Sequence, residues 1–324
     1  MNDLEKASDQ AVRPVLSVIV VSFNTRDMTL HCLRDLFADL SEIDAEVLVA
    51  DNASKDGSAE AIEAAFPAVR LLRNQENVGF GAANNQAIAI ARGKYLLMLN
   101  TDAFVRLGCC AALVKILEEN ATVGVVGARL YNEDGSQQIS CYPFPTPFRA
   151  WIENLWISTL WSRHPKLGDF RKWKHDEIRD VDWVVGACLV CRREVIEKVG
   201  GFDPQFFMYS EETDWQQRIR RAGWKVLFTP EAEAVHLGGA SGTREPETIN
   251  RHFFTSFDRY QLKHHGRKGF LLVRAAMITG SLLRLPAWSA AWLLRPARRP
   301  KAQKKIQHYL WLLRRQMFSP MSQG

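Results

Sequence analysis

The chain has 324 residues, 47% hydrophobic and 24% charged, a composition that excludes a disordered, fibrous or collagen-like protein. That length is enough to bury one large core or two smaller ones. The net charge of +6 conceals an asymmetry: residues 259–324 hold 14 of the 42 Lys and Arg and no Asp or Glu, leaving 28 basic against 36 acidic residues elsewhere, a balance of −8. A mildly acidic body with so basic a tail is suited to phosphate, on lipid, nucleic acid or an anionic substrate.

Residues 1–14 are polar and read as a loose N-terminus. The start MNDLEKASDQ lacks the basic-then-apolar pattern of a signal peptide. Six cysteines (Cys32, Cys109, Cys110, Cys141, Cys188, Cys191) follow no framework spacing, so free thiols in a reducing cytosol are expected. Cys188-x-x-Cys191 lies in a strand-like run without a second pair at metal spacing, and reads as two core thiols rather than a zinc or redox pair.

LSVIVVSF (16–23) predicts a buried strand. Leu30, Leu33, Leu36, Phe37 and Leu40 mark a helix over 27–40. A strand over 46–50 ends at Asp51, a helix follows over 58–66, and a strand over 69–72. An Ala-rich helix over 79–91 precedes a strand over 94–99, which ends in Asn100-Thr101-Asp102. A helix over 109–119 and a strand over 123–128 come next. Residues 141–180, with Pro143, Pro145 and Pro147, read as an irregular insertion. Strand pattern returns over 181–191, a helix runs over 210–222 to Gly223, and short strands are predicted over 224–228 and 234–237. This alternation predicts an α/β fold with a mainly parallel sheet flanked by helices. Ligands of such sheets bind beyond the carboxyl ends of the strands. Ser22, Asn24, Asp51, Asn52 and Asn100 to Asp102 all fall there.

Three segments carry chemistry. YLLML delivers Asp102 to the sheet rim, where a hard divalent cation would find oxygen, although a strand-end Asp taken alone is more often a turn or capping residue. Asp51 can accept the N3–H of a uracil or thymine ring, with Asp56 or Ser58 capping the next helix. Asn77-Val78-Gly79-Phe80-Gly81-Ala82-Ala83-Asn84-Asn85 is not a dinucleotide fingerprint, because the sixth position of that motif is Asn84 and the segment does not follow the first strand. Its small residues do allow close backbone approach to a ligand.

Taken in order, SVIVVSFN, DNASKDGS, NVGFGAANN and YLLMLNTD resemble the family 2 inverting glycosyltransferases of the GT-A fold. VDWVVGACLVCRREVIEKVGGFDPQFFMYSEETDWQQRIRRAGW and AVHLGGASG extend the resemblance, which covers roughly residues 15–242 and is similar to the bacterial rhamnosyltransferase-like branch. It implies a nucleotide-sugar donor, no nucleic-acid partner, and a divalent metal, Mg²⁺ or Mn²⁺. Donor contacts are expected from Ser22, Asn24, Asp51 (on the pyrimidine), Asn77, Gly79, Ala83, Asn84, Asn100 and Thr101. Asp102 matches the metal-binding carboxylate, and Asn100 replaces the motif's other Asp. His236 stands where a second metal ligand is often found, against the reading of a satisfied core histidine. The Glu-Asp pair of the family falls on Glu211-Glu212, which makes Glu212 the expected base, with Glu211 and Asp214 as alternatives. Asp214 also reads as an ion-pair partner of Arg218. Gly186 and Ala187 match the acceptor-side loop, and Trp183 or Trp215 would flank a sugar ring unless they are core aromatics.

The implied organisation is a GT-A domain over 15–258, with a nucleotide-sugar half (15–130) and an acceptor half (131–258), then a basic tail over 259–324. Arg274, Arg284 and Pro286 interrupt the apolar run 270–294, so amphipathic helices on an anionic cytoplasmic membrane face are expected rather than a span. The expected function is transfer of a sugar, rhamnose from dTDP-rhamnose by the branch resemblance or another such as a UDP-hexose, to a glycan or lipid-linked acceptor. A nucleotidyltransferase would want a Gly-rich basic loop after the first strand, which VVSFNTRD lacks. A non-catalytic binder would leave Glu211 to Asp214 without a role.

Overall fold

The computed structural model describes residues 13–161, 164, 173–238 and 246–318. The loose N-terminus expected over 1–14 and the last residues of AVHLGGASG lie largely outside them. In chain order, β1 (Leu16–Ser22), α1 (Arg26–Asp39), β2 (Ala45–Asp51), α2 (Ser58–Ala65), β3 (Arg70–Arg73), α3 (Phe80–Ile90) and β4 (Tyr95–Asn100) alternate. Then come β5 (Ala103–Val105), α4 (Cys109–Glu119), β6 (Val123–Tyr131), β7 (Gln137–Gln138), β8 (Cys141–Tyr142), α5 (Pro147–Asn154) and α6 (Ile157–Leu160). β9 (Arg179–Asp180), β10 (Trp183–Val184), β11 (Cys188–Arg192), α7 (Arg193–Val199), α8 (Glu211–Arg221), β12 (Lys225–His236), α9 (Pro246–Leu294) and α10 (Arg299–Phe318) complete the order.

The main sheet runs β3-β2-β1-β4-β11-β6-β12-β5. β1 lies parallel to both β2 and β4, with Ser22 opposite Asp51 and Val21 opposite Asn100. That register brings three strand ends to one rim. The apolar runs of β1 and β4 are buried on both faces, as expected of strands covered by helices on each side. β11 enters antiparallel between β4 and β6, so the sheet is parallel in its first half and mixed beyond. β10 and β11 divide the run expected as one strand over 181–191, and the intervening loop holds Gly186 and Ala187. Conversely, the two strands expected over 224–228 and 234–237 are one strand, β12, with a register shift between Thr229 and Glu233. Pro230 falls in that shift, where the missing N–H breaks no ladder bond.

The cap expected at Asp56 or Ser58 is corrected. Gly57, left-handed at φ 79°, precedes α2, while Asp56 accepts from the backbone N–H of Ser58 at 3.1 Å and that of Arg26 at 2.9 Å. All six cysteines are free and buried. Burial pushes the Cys191 thiol well up, as does the hydrogen bond with Cys109 together with burial for Cys188, which suits inert core thiols.

The described residues fall into two compact units, one within 1–143 and 175–253, the other within 144–174 and 254–324. Charge alone suggests a division at 258/259; contacts instead group the insertion after Pro143 with the C-terminal helices. Gln261 Nε2 donates to the Pro145 carbonyl at 2.6 Å, and Arg284 Nη1 to that of Asn154 at 2.8 Å. Within this second unit α9 kinks at Gly266 (φ 64°, ψ −176°), and Arg315 of α10 pairs with Asp258 at 2.7 Å.

Candidate functional site

A cavity of about 280 Å³ opens at the carboxyl rim of the first unit. The β4–β5 turn contributes Asn100, Thr101 and Asp102; the β10–β11 loop contributes Gly186 and Ala187; the start of α8 contributes Tyr209, Glu211 and Glu212; β12 ends in it at His236. Asn52 and Asn77 complete the opposite wall.

The metal-side corner follows from strand pairing. β12 runs antiparallel to β5 with His236 opposite Ala103, which sets His236 Nε2 3.4 Å from Asp102 Oδ1. Asp102 is 1% exposed, and neither of its carboxylate oxygens has a hydrogen-bond partner. Gln138, a residue that carried no signal in the sequence, settles the histidine tautomer. Its Nε2 donates to Asn132 Oδ1 at 2.9 Å and to the His236 carbonyl at 3.0 Å. With those donors spent, Oε1 is the atom 2.6 Å from His236 Nδ1, so Nδ1 carries the proton. In the neutral ring, Nε2 then presents a lone pair towards the Asp102 carboxylate. In that form the two acceptors face each other, and a cation between them, a proton or a metal ion, relieves the arrangement. Among the described residues no three His, Cys, Asp or Glu side chains gather as a metal cage. An oxygen-seeking cation that keeps water and phosphate ligands needs only one or two protein ligands, so the donor set fits such an ion.

The carboxyl pair sits on the first turn of α8. Tyr209 (φ 69°) and Ser210 (φ 64°) are both left-handed before it, a conformation costing about 1 kcal/mol or more for each non-glycine residue. The turn aims both glutamates into the cavity, and each has a buried oxygen, Glu211 Oε2 and Glu212 Oε2, without a partner. Burial and then the Glu212 charge push the Glu211 carboxyl well above the usual range. Burial also raises Glu212, opposed by the backbone N–H groups of Glu212, Thr213 and Gly186. Both carboxyls are thus raised, and more backbone N–H groups favour the charged form of Glu212 than of Glu211. Tyr209, which the sequence did not single out, lies in the same cavity, its phenol raised by burial and by Glu211, Glu212 and Asp102.

On the donor side, Asp51 is 3% exposed. Its Oδ2 accepts from the Ser54 N–H at 3.0 Å, while Oδ1 is buried without a partner. Asn52 Nδ2 donates to Asn77 Oδ1 at 2.8 Å, and Asn77 Oδ1 also accepts from the Gly79 N–H at 3.0 Å. Gly79 has φ 89°, and a Cβ there would lie 2.6 Å from the Phe207 carbonyl oxygen, so only glycine fits. Phe80 N–H donates to that same carbonyl at 3.0 Å. The loop before α3 is thereby fastened to the loop before α8.

Several expected site residues are placed elsewhere. Ser22 is buried and bonded to Thr29 at 3.0 Å. Asn24 Oδ1 accepts from the Lys55 N–H at 2.7 Å, which ties two loops together. Ala83 is fully buried, and Asn84 Nδ2 donates back to the Phe80 carbonyl at 2.9 Å. Asp214 is corrected to a structural role: its side chain is fully buried and paired with Arg218 at 3.0 Å, whose guanidinium also holds the carbonyls of Val199 and Gly201. Trp215 is a core residue with Nε1 donating to the Gly200 carbonyl at 2.9 Å. Trp183 stacks on Tyr142 at 5.1 Å between centroids and donates to the Pro143 carbonyl; it does not line the cavity.

The sequence pattern described as Glycosyl transferase family 2 matches residues 17–200, more than half of the chain. The N-acetylglucosaminyl-diphospho-decaprenol L-rhamnosyltransferase of Mycobacterium tuberculosis is 28% identical over 292 residues, covering 83% of this chain and 94% of its own. The rhamnosyltransferase WbbL of Escherichia coli is 26% identical over 193 residues, covering 57% of this chain and 67% of its own. Among solved structures, the mannosyltransferase PcManGT of Pyrobaculum calidifontis, in complex with GDP-Man and Mn²⁺, superposes with a TM-score of 0.58 at 19% identity, covering 95% of this chain and 88% of that one. That likeness is one of fold, the GT-A arrangement that the strand-end motifs imply.

Proposed function

This chain belongs to glycosyl transferase family 2, and from that premise we propose that it transfers rhamnose from dTDP-rhamnose to a lipid-linked N-acetylglucosaminyl diphosphate in cell-surface glycan synthesis. The names of the mycobacterial and Escherichia coli relatives support the sugar and the acceptor class. The observation that carries the reading is the set of buried, unpartnered oxygens on Asp51, Asp102, Glu211 and Glu212 at one strand-end rim, because buried polar groups without partners are rare and costly.

Asp102 and His236 would hold a divalent cation, Mg²⁺ or Mn²⁺. When bound, such an ion neutralises charge on a leaving nucleoside diphosphate. Asn100 supplies an amide where the fuller motif has a carboxylate, so Asp102 is the principal anionic ligand. Asp51 Oδ1 accepts the N3–H of the thymine ring. Glu212 removes the proton from the acceptor hydroxyl. The new bond forms between that oxygen and the anomeric carbon, on the face opposite the breaking bond to phosphate, and configuration inverts. Gly186 and Ala187 border the acceptor side. The basic helices within 259–318 keep the enzyme on the anionic cytoplasmic leaflet, beside its acceptor.

A panel of nucleotide-sugars assayed with Mg²⁺ and with Mn²⁺, read as nucleoside-diphosphate release, tests the reading. Turnover of dTDP-rhamnose that EDTA abolishes is expected. Turnover confined to a UDP-hexose would overturn the donor assignment, and full activity in EDTA the metal assignment.

A further inference from the structure

The second unit exposes a helical face of unusual chemistry. Every exposed residue of α9 between Leu271 and Leu294 is uncharged. Leu271, Leu272, Leu282, Leu283, Leu293 and Leu294 are each about half exposed or more, between 47% and 75%. A water-facing helix normally carries its charges outward and its apolar stripe inward. Here the order is reversed. The two arginines that interrupt this run turn inward. Arg284 donates to the carbonyls of Asn154 and Gly280, at 2.8 and 2.9 Å, and its guanidinium lies 4.2 Å over the Trp156 ring. Arg274 donates to the Arg315 carbonyl and lies over Phe270. The charges that would disfavour apolar surroundings are thus spent inside the unit, and the outward face is left hydrocarbon.

Beyond Leu294 the chemistry changes abruptly. Arg295, Arg298, Arg299, Lys301, Lys304 and Lys305 are all exposed, with no acidic residue from 259 onward. Arg299 Nε donates to the Trp292 carbonyl at 3.1 Å and its guanidinium lies over that ring. An apolar face ending in an aromatic residue and a cationic border matches the layering of a bilayer surface, hydrocarbon beside anionic headgroups.

We propose that the exposed face of α9 from Leu271 to Leu294 inserts into the interfacial hydrocarbon of an anionic lipid bilayer, with the cations from Arg295 to Lys305 at the headgroups. This deepens the membrane reading above and rests on it: the attachment is by apolar insertion, not by charge alone. α9 holds a segment apolar enough to cross a membrane by length and composition, with mean hydropathy 1.4. Crossing by α9 would nonetheless strip Arg284 of the Asn154 carbonyl on α5 and Arg274 of the Arg315 carbonyl on α10. Insertion along one face leaves these bonds intact.

The test is flotation of the full chain with vesicles of phosphatidylcholine, alone or mixed with phosphatidylglycerol, at low and molar salt. Wild type is expected to stay on the anionic vesicles in molar salt. The double variant Leu282→Glu/Leu293→Glu, with unchanged helical content by circular dichroism, is expected to lose about tenfold or more of its partition even at low salt. Its release of nucleoside diphosphate from the donor with a water-soluble acceptor should match wild type, which keeps the catalytic reading separate. Complete release of wild type by salt would leave attachment by charge and overturn insertion. Undiminished binding of the variant would overturn it too. A wild-type dimer that the variant renders monomeric, without vesicle binding by either, would assign the face to a second copy and sink the membrane reading with it.

Discussion

The two edges of the main sheet handle buried carboxylates in opposite ways. At the amino edge, Glu46 accepts from Ser17 Oγ at 2.7 Å, from Arg70 Nη1 at 2.9 Å and from the side chain of Arg92 at 3.2 Å. Burial alone would raise its pKa, yet the hydrogen bonds from the Arg92 backbone, Ser17, Arg70 and Arg92 hold it below the usual carboxylate range. At the carboxyl edge, Asp51, Asp102, Glu211 and Glu212 keep buried oxygens without partners, and Glu211 and Glu212 are shifted upward. One edge completes its own hydrogen bonding and serves the fold. The other leaves it incomplete at the rim where α/β sheets take ligands, and a ligand is what would complete it.

The largest expected effect is at the metal corner. Asp102→Ala should lower metal-dependent turnover by at least about 10³-fold, because the proposed anionic ligand is gone, while Asn100→Ala should cost less than about tenfold. Steady-state rates with Mn²⁺ would show it; equal losses in the two variants would erase the distinction between carboxylate and amide. Glu212→Gln comes next, with an expected loss of about 10² to 10⁴ in kcat at unchanged donor affinity. A near-normal kcat would remove Glu212 from the role of base. Gln138→Leu should weaken Mn²⁺ binding about tenfold by freeing the His236 tautomer, as measured by Mn²⁺ titration under electron paramagnetic resonance. Gln138→Glu keeps the acceptor facing Nδ1 and should bind nearly as wild type. A purely structural Gln138 would instead show both variants alike.

The carboxyl rim of this contrast was legible in the sequence; the Glu46 cluster was not. β1 and β4 are continuous apolar runs, so their ends, and hence Asp51 and Asp102, could be placed without coordinates. The nesting of β11 antiparallel between β4 and β6 was not, because its apolar run is consistent with either direction. The sequence pattern predicts two strands on either side of 229–233, whereas a register shift holding Pro230 joins them as β12. Asp214 and Trp215 share the α8 segment with Glu212, and only packing shows that one is spent on Arg218 and the other on the core. Gln138 belongs to a two-residue strand with no periodicity to read, and its partner His236 is remote in sequence. The inward turn of Arg274 and Arg284 likewise depends on carbonyls of α5 and α10, which no local pattern names.

The smallest effects give the cleanest contrast, because the two edges predict opposite signs. Glu46 has a lowered folded pKa, so its contribution is present above the unfolded value of about 4.3 and is lost as pH falls through the folded pKa. Glu211 has a raised folded pKa, so its contribution is present below that unfolded value and is lost as pH rises through the folded pKa. Glu46→Gln should therefore destabilise the chain by about 2 kcal/mol near neutral pH, through arginines and a backbone N–H left without their carboxylate, and by less in acid. Glu211→Gln, a neutral side chain of nearly the same shape, should be without penalty in acid and should gain stability relative to wild type as pH rises. Urea unfolding of both variants in EDTA, from mildly acidic to mildly alkaline pH, measures the two slopes. Parallel slopes would mean that the carboxyl rim is as well satisfied as the amino edge, and the distinction on which the site rests would fall.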